Sequence, residues 1–220
     1  MEAIKLVVAD MAGTTVKDSG DVARAFAAAL EDHGVEVSAP QINAVRGASK
    51  RAAIATLVAP KFGSDTARVD AVYASFKNHM RISFTRAAEP MPGALATFNW
   101  LRERGIKIAL NTGFDRDIAD LLIDALGWHR VADAVICGDA VPQGRPAPYL
   151  IFRAMEATAI IDVGHVLNVG DTVSDLQAAR NAGVAVSVGV LTGAHRRDQL
   201  AREPHTCLIG SIADLPALWT

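Results

Sequence analysis

The sequence predicts an α/β fold, a parallel sheet interrupted by an inserted helical cap. Three observations carry this expectation. Short apolar segments rich in β-branched residues recur, each followed by a polar or glycine-containing turn. Helix-patterned stretches separate most of them, so the strands read as parallel and buried on both faces. Residues 17–89 carry helical patterns and no convincing strand.

The elements follow in order. IKLVVAD (4–10) is the first strand. The insertion then holds DVARAFAAALEDHG (21–34), SKRAAIATLVA (49–59) and TARVDAVYASFKNHMRISF (66–84), each with helical spacing. An insertion of that length is too long for an ordinary loop. Residues 1–16 and 90–220 are therefore expected to form the core, and 17–89 the cap. In the core, helical ALATFNWLRERG (94–105) precedes the strand IKIALNT (106–112), and helical RDIADLLIDALGW (116–128) precedes AVICGD (134–139). HVLNVGD (165–171) and VAVSVGV (184–190) complete the strands. Ligands of parallel sheets sit outside the carboxyl ends of the strands. Three strands end in Asp10, Thr112 and Asp171, so a common site is expected there.

Composition narrows the function classes. Half of the 220 residues are hydrophobic and 21% are charged, ordinary for a globular protein. A net charge of −2 offers no broad attraction to nucleic acid or to an anionic membrane. No apolar run approaches the ~18 residues needed to span a bilayer. The start, MEAIKLVVAD, runs from one Lys through a brief apolar stretch into a strand-end Asp, and reads as mature protein rather than a signal peptide. Cys137 and Cys207 lack CxxC spacing and read as free thiols of a reducing compartment, so the expected location is cytoplasmic.

Four segments carry chemistry. In VVADMAGTTV (7–16), Asp10 ends a strand and is followed by Gly13, Thr14 and Thr15, a turn whose N–H groups can cradle an anion. A carboxylate there serves either as a covalent nucleophile or as a turn cap. In NVGDTVSDLQAARNAG (168–183), Asp171 and Asp175 are four apart at a strand-to-helix junction. Hard oxygens in that place suit Mg²⁺, and the alternative is that Asp175 caps the helix. In LNTGFD (110–115), Thr112 and Gly113 can donate to a phosphoryl oxygen, although Thr-Gly turns are common. In VPQGRPAPYL (141–150), Arg145 is flanked by Gly144 and Pro146; it points either at an anion or into solvent.

Taken together, DMAGTT, NTG, GRPAP and GDTVSD resemble, in order, the four motifs of the haloacid dehalogenase superfamily. The resemblance implies a Rossmann-like parallel core with a helical cap. It implies that Asp10 attacks phosphorus, that Thr112 and Arg145 hold the phosphoryl group, and that Asp171 and Asp175 hold Mg²⁺. Phosphatases of that superfamily generally place an acid/base Asp two residues after the nucleophile, where this chain has Ala12. DMAGTTV, VPQGRPAPY and VGDTVSDLQAARNAGV are similar to the phosphonatase-like branch, that of the phosphonoacetaldehyde hydrolases. In that branch a backbone carbonyl, here that of Ala12, is a metal ligand.

The absent acid has a chemical rationale. Expelling an alkoxide from a phosphate ester is helped ~10²–10⁴-fold by a general acid. Expelling carbon from phosphorus needs an electron sink instead, such as the iminium ion formed when a Lys condenses with an aldehyde. VRGASKRAAI (45–54) offers Lys50, three residues after Gly47 at a helix start. Its Gly-x-x-Lys spacing resembles the branch's Schiff-base segment. A helix N-terminus and a closing cap should both disfavour the ammonium form. Lys50 forms an imine, binds substrate phosphate or is solvated; the sequence leaves these open. The candidate substrate contacts are Thr14, Arg46, Gly47, Thr112, Gly113 and Arg145. The substrate expected is a small phosphonate or phosphate.

Four positions depart from the branch. Ala53 stands where it has His, Arg46 where it has Met, Phe114 where it has Tyr, and Gly20 near the place of a Cys. Arg46 would add a second positive charge for a more anionic substrate. The six His residues show no metal-ligand spacing, and GAHRRDQL (193–200) reads either as a solvated helix start or as an active-site loop. The Ala-rich face of DVARAFAAALEDHG either pairs with a second copy, giving a homodimer through the cap, or packs within the cap.

Overall fold

In a computed structural model, residues 3–219 are described, except for the side chains of 85–87. The chain runs β1 (Leu6–Asp10), α1 (Asp21–Glu31), α2 (Ala39–Ala44), α3 (Lys50–Phe62), α4 (Thr66–Ala87), α5 (Ala94–Glu103), β2 (Lys107–Asn111), α6 (Arg116–Leu126) and β3 (Ala134–Ile136). It continues with α7 (Tyr149–Ala157), β4 (Val166–Gly170), α8 (Val173–Ala182), β5 (Val186–Val190), α9 (Arg197–Leu200) and β6 (Cys207–Ile209). The six strands form one sheet in the order β3-β2-β1-β4-β5-β6, and every pairing is parallel.

The continuous apolar runs follow from burial on both faces. In β1, Leu6 and Val8 pack with Leu150, Ile151 and Ala178 of α7 and α8, while Val7 and Ala9 face the cluster that holds Phe98, Leu101 and Ile118 of α5 and α6. Side chains alternate along a strand, so a strand with helices on both faces has no polar side to show. β1 is central, and its register pairs Asp10 with Asn111. Asp10, Thr112 and Asp171 therefore emerge side by side at the carboxyl edge.

The chain leaves the core after Val16 and returns at Pro90, where the two passages form an antiparallel bridge. Lys17 N–H donates to Glu89 O and Met91 N–H to Thr15 O, so both connections are held together. Between them α1 and α3 pack on α4, with the rings of Phe26 and Phe76 4.6 Å apart. The apolar face of α1 (Val22, Ala25, Phe26, Ala29, Leu30) is buried, and α1 packs on α4. The helices also lean on the core: on α4, Lys77 Nζ lies 3.3 Å from Asp117 and Arg81 Nη2 2.7 Å from the same carboxylate at the start of α6. Among the described residues, no helix is long and apolar enough to cross a membrane.

Three elements lie outside the sequence expectation. α7 buries Leu150, Ile151, Ala154 and Met155. β6 is a three-residue edge strand of intermediate burial, too short to leave an apolar run. α2 has six residues, and its start is encoded by a Ser38/Gln41 capping box with Pro40 in the first turn. The strand expected over 134–139 stops at Ile136, because Gly138–Ala140 turn into a short 3₁₀ segment.

Candidate active site

Asp10 ends the central strand, and Asp171 and Asp175 flank the start of α8; all three are nearly fully buried. Arg145, also buried, places Nη1 2.7 Å from Asp10 Oδ1 and in contact with Asp175 Oδ1. The other oxygen of Asp175 accepts from the backbone N–H of Thr172 at 3.0 Å and from its hydroxyl. Both Asp175 oxygens are thus engaged. The sequence points to Asp175 as a metal ligand; in the structure it anchors Arg145 and caps α8, because its N3 position suits the capping box. Asp171 accepts from Ala194 N–H at 2.6 Å and from the Thr14 hydroxyl at 3.3 Å. Thr14, expected to touch substrate, instead orients this carboxylate.

Burial drives the Asp10 carboxyl up to about 7, against the pull of Arg145 and with a further push from Asp175 and Asp171. Burial likewise raises Asp171 to about 6, helped by Asp175 and opposed by the Ala194 amide. Three dehydrated carboxylates thus face one guanidinium, and the two outside the α8 capping box, Asp10 and Asp171, offer hard oxygens that suit a divalent cation. The N–H groups of Gly13, Thr14, Thr15 and Val16 all bond to the carbonyls of Met11 and Val16. Among the described residues they leave the Ala12 carbonyl untaken, and Ala12 lines one cavity with Asp10 and Asp171. They also close the turn on itself, so the anion cradle expected from the amides of 13–15 is not formed. Among the described residues, no three His, Cys, Asp or Glu side chains are placed to hold a metal between them. Mg²⁺ needs only one or two carboxylates and keeps waters, and Asp10, Asp171 and the Ala12 carbonyl fit that pattern.

The cap supplies the facing wall. The loop before α3 is pressed against the core: a Cβ on Gly47, whose φ is +89°, would lie 2.3 Å from Thr172 Oγ1. A Cβ on Gly113 would lie 2.6 Å from the Ala48 carbonyl, and Lys50 N–H donates to Gly113 O at 3.2 Å. Glycine at both positions is what lets the two backbones meet. Thr112, buried beside them, accepts from Phe114 N–H at 3.2 Å and keeps its own hydroxyl proton for another acceptor.

Lys50 is the first residue of α3 and only 6% exposed. Among the described residues its amine has no ion pair or hydrogen bond; it sits 5.2 Å from the centre of the Phe114 ring. Burial lowers it to about 8, reinforced by Arg145 and Arg46 and resisted by Asp10 and Asp18. Arg46 forms a close, shielded ion pair with Asp18. The additional positive charge expected of Arg46 is therefore already offset, because a carboxylate from the first cap connection meets it.

Asp10, Ala12, Arg46, Gly47, Lys50, Thr112, Gly113, Arg145 and Asp171 all line one cavity of about 20 Å³, which holds about one water. A groove of about 740 Å³ lies on the far side of Arg46, floored by Ala27, Val37 and Ile42 of the cap. It lacks the carboxylates, so the chemistry belongs to the smaller cavity, which must open to admit a substrate.

A family model described as haloacid dehalogenase-like hydrolase matches residues 4–183. The chain belongs to that family. This hydrolase is 34% identical over 212 residues to a phosphonoacetaldehyde hydrolase of Parabacteroides distasonis, covering 89% of this chain and 79% of the relative. It is 32% identical over 205 residues to a phosphonoacetaldehyde hydrolase of Bacillus cereus, covering 86% and 76%. Its fold is similar to the crystal structure of a phosphonoacetaldehyde hydrolase-like protein from Oleispira antarctica, with a TM-score of 0.84 at 22% identity, covering 98% of this chain and 91% of that one. A predicted phosphoglycolate phosphatase from Haemophilus somnus shares the fold equally well, with a TM-score of 0.83 at 19% identity and 99% coverage of both chains.

Of the two readings of GAHRRDQL, a solvated helix start or an active-site loop, the structure favours the loop. His195 is buried, not part of a solvated helix start. The loop that carries it also holds Asp171 through Ala194 and meets the nucleophile loop, with the Thr192 hydroxyl donating to Gly13 O at 2.7 Å.

Proposed function

We propose that this hydrolase cleaves the carbon–phosphorus bond of a small phosphonate aldehyde, phosphonoacetaldehyde or a close relative, through an imine on Lys50 and an aspartyl-phosphate on Asp10. The reading rests on one observation above all: a buried, unpaired amine lines the same small cavity as the strand-end carboxylate. The names of the relatives at 32–34% identity point the same way.

With its pKa lowered to about 8, Lys50 is about one-tenth free amine at pH 7, several hundred times more than an ordinary lysine. The free amine adds to the aldehyde and loses water, giving a protonated imine. Asp10 attacks phosphorus, and the electrons of the breaking C–P bond flow into the iminium to give an enamine. Protonation at carbon and hydrolysis release the aldehyde and restore Lys50. Water then cleaves the aspartyl-phosphate, releasing phosphate and restoring Asp10. Arg145 and the Thr112 hydroxyl hold the phosphoryl oxygens in line. Mg²⁺, held by Asp10, Asp171 and the Ala12 carbonyl, would offset the charge of those oxygens against the carboxylates. Ala12 fits this route, because no leaving alkoxide needs a proton.

A second reading makes Lys50 a phosphate ligand in a phosphatase or phosphomutase acting on a small phosphorylated metabolite. Its support is that Lys50 and Arg145, two cations, line one cavity. Phosphate release from phosphonoacetaldehyde and from a panel of phosphate esters separates the two. The C–P route predicts a kcat/KM for phosphonoacetaldehyde at least about 10²-fold above any ester, the range a general acid would otherwise supply. Faster ester hydrolysis rejects it.

A further inference from the structure

The loop Thr192–His195 joins four parts of the molecule that the catalytic residues alone do not connect. The Thr192 hydroxyl reaches Gly13 O in the nucleophile loop. Gly193 has no room for a side chain, since a Cβ there would lie 1.9 Å from Asp171 Oδ2. Ala194 N–H donates to that same oxygen at 2.6 Å, and His195 N–H to the Asp171 carbonyl at 3.4 Å. The His195 ring, 6% exposed, then spans from core to cap. Its Nδ1 lies 2.9 Å from Val173 N, the first amide of α8. Its Nε2 lies 3.2 Å from the carbonyl of Asn43, in α2 of the cap.

The two contacts fix the ring's proton. A backbone N–H can only donate, so Nδ1 is the acceptor and carries no hydrogen. A carbonyl can only accept, so Nε2 carries the hydrogen and donates it. Only the neutral Nε2–H tautomer satisfies both. The ring leans on the Asp171 segment at one end and grips the cap at the other. The Asn43 carbonyl lies three residues before Arg46, at the start of the cap loop that delivers Arg46, Gly47 and Lys50 to the cavity.

We propose that His195 is a positioning residue that couples the seating of the cap to the setting of Asp171, holding Lys50 over the carboxylates by donating from Nε2 to the Asn43 carbonyl. This goes beyond the choice of substrate and holds for either reading of Lys50.

The two nitrogens can be replaced one at a time. In His195→Gln the side-chain amide reaches the place of Nε2 and still donates to Asn43 O, but nothing accepts from Val173. In His195→Asn the amide oxygen takes the place of Nδ1, and the reach to the cap is lost. Hydrogen–deuterium exchange of substrate-free protein reads the seating directly, because the Lys50 amide is covered by Gly113 O. The expected result for His195→Asn is exchange in residues 43–50 about five- to tenfold faster than in the parent, the loss of about one hydrogen bond. In His195→Gln the same segment stays within about twofold of the parent. Steady-state kinetics should split likewise. His195→Asn should raise KM several-fold with kcat nearly kept, because the cap that closes over bound substrate loses one of its holds on the core. Equal exchange of residues 43–50 in the two variants, fast or slow, would overturn the proposal. So would faster exchange in His195→Gln alone, which would assign the ring to α8 instead. Since the exchange needs no substrate, failure of the Lys50 imine leaves this test unaffected.

Discussion

A lysine ammonium buried without a partner should weaken the fold that holds it. Lys50 titrates at about 8 in the folded protein, against 10.5 for an ordinary lysine. Below pH 8 the side chain is charged in both states, but the folded state disfavours that charge. The gap corresponds to about 3 kcal/mol at pH 7, at 1.36 kcal/mol per unit. Between the two values the unfolded chain binds one proton more than the folded one, so stability rises with pH there. Lys50→Met, similar in length and uncharged, should therefore stabilise the protein at neutral pH by an amount on the order of 2–3 kcal/mol. The gain should shrink to about 1 kcal/mol at pH 9.5 and nearly vanish above pH 10.5, where both states have lost the proton. Guanidinium unfolding of parent and variant at pH 7.0 and 9.5 measures this. The variant should also be inactive, a trade of stability for function. A destabilised variant, or a gain independent of pH, would refute the reasoning, because the amine would then be either paired or solvated.

Two further substitutions probe the carboxylate side. Asp10→Asn should leave the protein folded, with an unchanged or raised melting temperature because an unfavourably buried charge is gone, while phosphate release falls by at least about 10³-fold. Appreciable residual turnover would remove Asp10 as nucleophile. Gly193→Ala should drive its methyl into Asp171, which lies 1.9 Å from the Cβ position; the Mg²⁺ concentration for half-maximal activity should rise at least about tenfold, the scale of losing support around a ligand.

Much of the fold is legible because buried parallel strands leave continuous apolar runs. Leu6–Asp10, Lys107–Asn111, Val166–Gly170 and Val186–Val190 all lie within the segments read as strands. Asp10 ends β1, and Thr112 and Asp171 follow β2 and β4 directly, residue types that suit an edge site. What escapes is either short or held from a distance. β6 has three residues, and its pairing with β5 is set by the sheet, not by its own pattern. His195 sits among Arg196, Arg197 and Asp198, so its neighbours suggest a solvated helix start; its ring instead meets the Asn43 carbonyl, 152 residues earlier. Arg46 is likewise offset by Asp18, 28 residues away. The turn after Asp10 shows the opposite limit, since its glycine and threonines suggest free amides, yet the Gly13 amide is taken by Val16 O and those of Thr14 and Thr15 by Met11 O. The capping box that starts α2, Ser38 with Gln41, was present to be read.

The difference between an amine that reacts and one that only attracts phosphate lies in a covalent bond. Borohydride added to the enzyme with phosphonoacetaldehyde, followed by peptide mass spectrometry, reads that bond at Lys50. Cleavage through an imine predicts progressive, irreversible inactivation, with a reduced alkyl adduct on the peptide that carries Lys50 and none in Lys50→Met. An unmodified Lys50 under conditions where phosphonoacetaldehyde is turned over would contradict it.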